Sequence, residues 1–185
     1  MQACETTLAD RGPIVKVLGL FAAIAVALLV ISFGWPQAVT GVLINALLLL
    51  TAYWVGLPQA LILGIITPLG GALRGVLPLP MVVMIPFIAL GNATLVSVYS
   101  AMRRQGAGVA LVAGAVLKFA LLSGAVALLQ RAPITLTSAA GANAVLIPQS
   151  LAVMMRWPQL ATALAGGLLA QGTTWLVTRG RKRDA

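Results

Sequence analysis

Apolar residues fill this chain in runs of about 20, the length that crosses roughly 30 Å of hydrocarbon at 1.5 Å per residue. The runs end at glycine, proline or arginine. The pattern predicts a polar tail over 1–13, then spans at 14–33, 37–55, 58–77, 81–102 and 107–130. A connector follows at 131–157, then a sixth span at 158–178 and a basic tail at 179–185. Thr67-Pro68-Leu69-Gly70-Gly71 interrupts the third run. There proline should break the helix and free a carbonyl near residue 64.

The connector is apolar enough to be tested as a seventh span, but it holds Gly141, Asn143, Pro148, Gln149 and Ser150. Cation placement decides the matter. Six spans put Arg11, Lys16, Arg103, Arg104, Arg179, Arg181, Lys182 and Arg183 on the inner face, against Arg74, Arg131 and Arg156 outside. Seven spans would reverse the bias. The excess of basic residues on the cytoplasmic side favours six, with both termini inside. The connector is then an outer loop with room for a short helix. Trp35 and Trp157 fall at outer ends, and Tyr53, Trp54, Tyr99 and Trp175 at inner ends, as an interfacial aromatic belt requires.

Lys118 is the basic residue this count leaves over. It stands in Ala113-Gly114-Ala115-Val116-Leu117-Lys118-Phe119-Ala120-Leu121-Leu122-Ser123. A charge at that depth costs roughly 2.5–3.5 kcal/mol on insertion scales. No acid of this chain can meet it, because Glu5, Asp10 and Asp184 all lie in the tails. Counted from the outer ends, Asn45 lies about 12 Å deep, Thr67 about 15 Å, Asn92 about 16 Å and Lys118 about 18 Å. Four helices thus place polar groups in one layer near the midplane. Its alternatives to ligand binding are interhelical hydrogen bonds for the asparagines, a plain kink at Pro68 and, for Lys118, a partner subunit's acid or snorkelling, which would have to cover about 18 Å. Arg74 either snorkels or guides anions to this layer, and Gln149, Gln171 and Asn143 are candidate hydrogen bonders. The expected substrate contacts are Asn45, Thr67, Arg74, Asn92, Lys118, Gln149 and Gln171.

Composition narrows the chemistry. The chain is 61% hydrophobic and 8% charged, which leaves one polytopic, all-α membrane domain over 1–185 and no separate soluble domain. The net charge of +9 reads as topology signal and not as a nucleic-acid surface. The first run lacks an obvious small-x-small cleavage site and is taken as a span rather than a signal peptide. With no histidine and Cys4 alone, intrachain disulfides, histidine-ligated haem and the usual zinc sites are excluded, and no cofactor or metal is expected. No acid, histidine or cysteine reaches the membrane interior, so an enzyme is not expected. None of Lys16, Lys118 and Lys182 sits in a phosphate-binding loop, so the chain supplies no ATP hydrolysis itself. Gly19, Ala23 and Ala27, four apart, form a small-residue stripe that lets another helix approach closely, within the chain or from a partner.

Six spans of this length, the stripe in the first and the long outer loop before the last resemble the substrate-binding S component of an energy-coupling-factor (ECF) type ABC transporter. Ile44-Asn45-Ala46-Leu47-Leu48, Thr67-Pro68, Pro86-Phe87-Ile88-Ala89-Leu90-Gly91-Asn92-Ala93 and Leu117-Lys118-Phe119 carry the likeness, over about 14–178. The resemblance implies a multi-pass subunit in a prokaryotic inner or plasma membrane, binding a vitamin-like micronutrient from outside. It implies docking on a transmembrane coupling subunit driven by two cytoplasmic ATPases, with Ala23 and Ala27 in the docking motif. The alternatives are an assembly subunit of a larger membrane complex and a self-sufficient carrier of small anions.

Overall fold

The computed structural model describes residues 12–75, 79–131, 134–138, 141–145 and 148–181. Arg11, Lys182 and Arg183, three of the inner-face cations, lie outside the described residues.

α1 (Pro13–Ser32) opens on a proline whose missing N–H is no loss in a first turn. Gly34, at φ +65°, turns the chain toward α2 (Gln37–Trp54). That helix closes on the Thr51 carbonyl, which accepts from the amides of Val55 and Gly56 at 2.9 Å each. Gly56 adopts φ +139°, a conformation side chains disfavour, and α3 (Leu57–Leu73) departs at once. The expected break at Thr67-Pro68 does not occur: α3 runs through Pro68 as one helix. A short α4 (Leu79–Val82) leads to α5 (Ile85–Met102), and Gly106 turns the chain into α6 (Ala107–Arg131).

The connector carries more order than its sequence suggested. β1 (Ile134–Ser138) pairs antiparallel with β2 (Gly141–Val145), with Ile134 opposite Val145. α7 (Gln149–Met154) is the short helix for which the connector had room, and α8 (Trp157–Arg181) completes the chain. Among the described residues, five helical segments are long and apolar enough to cross a membrane; α3, at 17 residues, is shorter. The helical, multi-pass class therefore holds, with a hairpin added.

α5 packs chiefly on α6, α2 on α8, and α3 against α1, α2 and α5. Leu48, Leu49, Leu63, Leu95, Val96 and Leu111 form one buried core, and Met84, Leu122, Val126 and Met155 a second. Glycine sets the closest crossings. A Cβ on Gly166 would lie 2.5 Å from the Val42 carbonyl oxygen, and one on Gly114 would lie 3.1 Å from that of Leu95. Without a hydrophobic force between helices in lipid, such close backbone approach supplies the packing energy.

The stripe on α1 that was expected to dock a partner, Gly19, Ala23 and Ala27, packs within the chain in this fold. Ala23 and Ala27 are buried in the first core, and a Cβ on Gly19 would lie 3.0 Å from the Val55 side chain. The outward face of α1 is instead large and apolar: Ile14, Leu18, Phe21 and Leu29 are all exposed. An apolar exterior around a buried polar layer suits hydrocarbon as the surrounding solvent. At one end of the bundle, Arg103 lies over the Tyr53 ring at 5.3 Å and Arg179 over Trp175 at 4.7 Å. At the other, Trp35 stacks on Phe33 and Trp157 meets Phe119. The rings thus divide between the two ends as an aromatic belt does.

Candidate functional site

Asn45, Thr67, Asn92 and Lys118 come from α2, α3, α5 and α6, and the fold brings all four together. Lys118, 2% exposed, donates from Nζ to Asn45 Oδ1 at 2.7 Å and to Asn92 Oδ1 at 2.8 Å. Each asparagine passes the polarity on. Asn92 Nδ2 donates to the Gly64 carbonyl at 3.1 Å and to Thr67 Oγ1 at 3.4 Å. Asn45 Nδ2 reaches Thr162 Oγ1 at 3.5 Å, and Thr162 donates in turn to the Gln159 carbonyl. Every donor therefore points away from the ammonium, and both branches end on backbone carbonyls.

Pro68 explains one of those ends. A helical residue normally donates its N–H to the carbonyl four positions back, and proline has none to give. The carbonyl of Gly64 is left free, as the sequence implied, and Asn92 and the Thr67 hydroxyl occupy it instead. The proline thus works without bending the chain apart: it opens an acceptor that anchors Asn92.

Glycines hold the network rigid. Each polar side chain lies over a glycine of a neighbouring helix: Asn45 over Gly166, Asn92 over Gly64, Lys118 over Gly91 and Thr162 over Gly41. A Cβ at any of the four would come within 3.3 Å of its polar neighbour. Side chains so confined have few rotamers open to them, which pre-organises the groups they carry.

The network forms the floor of a cavity of about 400 Å3, within the usual range of ligand sites. Gln37, Thr40, Gly41, Ile44 and Asn45 line one side from α2, Thr67, Pro68 and Gly71 another from α3. Leu151 and Met154 of α7, with Met155, bring the connector onto the cavity, and Met81, Trp35 and Gln159 complete the apolar and polar wall. An ammonium has three donors, and two are used; Lys118 has no third acceptor among the described residues. None of the described residues is an aspartate or glutamate, so the positive charge of the floor is uncompensated. The amide oxygens solvate the ammonium but carry no net charge. The site is therefore built to receive an acceptor, and preferably an anion. No cluster of histidine, cysteine or carboxylate that would hold a metal occurs among the described residues.

Three expected contacts lie elsewhere. Arg74 is exposed at the C-terminal end of α3 and does not line the cavity. Gln149 is exposed, and its Oε1 accepts from Gln130 Nε2. Gln171 donates to the Ala107 carbonyl at 2.9 Å, where α6 begins, and does not line the cavity. Residue type and approximate place along the chain suggested these three, and none is among the residues that line the cavity. The side chain of Asn143 lies outside the described residues.

Conversely, Gln37, Thr40, Thr162 and Gln159 escaped notice although their spacing was visible. Gln37, Thr40, Gly41, Ile44 and Asn45 recur at the three- and four-residue steps of one helix face, and Gln159, Thr162 and Gly166 do the same. Comparison with protein-family models, curated proteins and solved structures finds no match.

Proposed function

We propose that this protein is a membrane-embedded substrate-capture subunit that binds a small anionic or acceptor-rich molecule from the outer side. The observation that carries this reading is Lys118, an uncompensated cation with a donor to spare in the floor of a cavity. The reading places six spans in a prokaryotic inner or plasma membrane with both termini cytoplasmic, α3 being the shortest span. The resemblance to S components of ECF-type ABC importers supports it, and makes the cargo a vitamin-like micronutrient. On this reading a coupling subunit and two ATPases complete the importer, since this chain has no phosphate loop of its own.

An assembly subunit would need Lys118 within reach of a partner's carboxylate. Its burial behind Asn45 and Asn92 weighs against that, because the exterior a partner helix would meet is largely apolar. The test is to purify the chain alone in detergent, denature it, and search the released fraction for a small molecule by mass spectrometry. A stoichiometric ligand, retained without any ATPase present, is the expected result. A chain that carries no ligand, and is stable only when co-expressed with another membrane protein, would overturn capture in favour of assembly.

A further inference from the structure

We infer that the cavity is charge-selective: it takes an organic monoanion, a carboxylate on an apolar body, and rejects dianions, zwitterions and cations. This rests on the capture reading and adds a substrate class to it.

Lys118 is the one cation lining the cavity among the described residues; Arg74, Arg131 and Arg156 are not among its walls. One negative charge is therefore neutralised and a second is not. A phosphate monoester brings roughly 1.5–2 negative charges and three acceptor oxygens at neutral pH. Its excess charge would be buried at the floor with no partner, which low-dielectric surroundings penalise heavily. A zwitterion or amine fails for the opposite reason, since the described residues offer its ammonium no carboxylate.

Donor supply agrees. The amide hydrogens of Asn45 and Asn92 are turned away, toward Thr162 and toward Gly64 and Thr67, so only the third N–H of Lys118 is left at the floor. Higher on the wall, Gln37 and Gln159 have side-chain amides with no partner among the described residues. One ammonium N–H and these two amides suit the two oxygens of a carboxylate better than a phosphate. The remaining wall is apolar, through Ile31, Ile44, Met81, Leu151, Met154 and Met155. Methionine adapts its shape to its contacts, so this part sets polarity and size more than outline.

A monoanion with an apolar body can arrive from water or from the bilayer, as a free acid or as an anionic lipid. We assign the aqueous source, because the polar residues Gln37, Thr40 and Gln159 sit at the outer starts of α2 and α8, where a ligand entering from water would pass.

The experiment uses the full chain in phosphatidylcholine nanodiscs, with and without phosphatidylglycerol. Molecules released on denaturation are sorted by charge and mass. Thermal stabilisation is then measured with four probes sharing one body: 3-phenylpropionate, 3-phenylpropyl phosphate, phenylalanine and 3-phenylpropylamine. A released monocarboxylate, or stabilisation by phenylpropionate alone of the four, is expected, and unchanged by phosphatidylglycerol. Lys118→Met should weaken that binding roughly 10- to 100-fold, the loss of one charge-assisted hydrogen bond. Because Lys118→Met also disturbs the network, Thr40→Lys supplies an independent arm. A second cation on the wall should turn preference toward the phosphate. A phosphorylated, zwitterionic or cationic ligand on the unaltered protein overturns charge selection while leaving capture intact. So does a Thr40→Lys protein that still rejects the phosphate. Release or retention of phosphatidylglycerol in place of a soluble acid overturns the aqueous source. No released molecule and no stabilisation by any probe overturns capture itself, and this inference with it.

Discussion

Lys118 is costly in a membrane, and its surroundings reduce the cost without cancelling the charge. Two amide oxygens at 2.7 and 2.8 Å replace water, and the asparagines that bear them are anchored on Thr162 and on the carbonyl Pro68 leaves free. Truncating either anchor has a defined effect. Asn92→Ala removes an acceptor from Lys118 and the donor that reaches the Gly64 carbonyl. We expect a loss of about 1–3 kcal/mol in stability, the cost of leaving buried polar groups unpaired. Reversible unfolding in mixed detergent measures it, and an unchanged midpoint would mean that the network is not closed. Thr162→Val should cost less, because its bond to Asn45 is long at 3.5 Å. The layer itself was legible in the sequence because depth follows from residue count at 1.5 Å per residue. The contacts were not. Asparagine and lysine in one layer do not reveal which oxygen meets which nitrogen. Residue type and approximate place along the chain also suggested Arg74, Gln149 and Gln171, which the fold places outside the cavity.

At the scale of elements, glycine and alanine determine how near the helices come. Gly166 lets α8 lie against α2 with Asn45 beneath it, and a Cβ there would lie 2.9 Å from the Ala46 nitrogen and 2.5 Å from the Val42 oxygen. Both are backbone atoms, so neither can swing aside. Gly166→Ala should push the two helices apart, destabilise by about 1–3 kcal/mol as overpacking does, and weaken ligand binding through displaced Asn45. A variant with wild-type affinity would show that the crossing does not set the site. On α1, Ala27 is 1% exposed, so Ala27→Leu should lower the thermal midpoint of the isolated chain. If Ala27→Leu instead leaves the isolated chain unchanged and only disrupts a complex, the stripe serves a partner after all. Here the sequence is ambiguous for a physical reason. A stripe of small residues records that some helix approaches closely, but not whether that helix belongs to the same chain. The Pro68 position carried a similar ambiguity: its lost donor was predictable, but the continuous course of α3 depends on neighbours that stabilise it.

For the molecule as a whole, the inverted arrangement of polar and apolar surface suits a surrounding bilayer, and the proposed capture from outside depends on the topology. With six spans, the turn at Gln105 faces the cytoplasm and the hairpin at Thr137 faces outward. In a Cys4→Ser background, Thr137→Cys should react with an impermeant maleimide on intact cells and Gln105→Cys should react only after lysis. Labelling in the opposite pattern would invert the topology and close the cavity to the outside. The places of the long apolar helices were readable because each runs about 20 residues, whereas α3 stops at 17. The hairpin at 134–145 was not, since its pairing depends on register and not on hydropathy. The proposed role of Lys118 is to hold cargo. It is tested most directly by purifying wild-type and Lys118→Met protein side by side and weighing the small molecule each retains. Lys118→Met should insert as well as wild type or better, having lost a charge worth roughly 2.5–3.5 kcal/mol on insertion scales, and should emerge empty. Equal amounts of the same ligand on both proteins would contradict it.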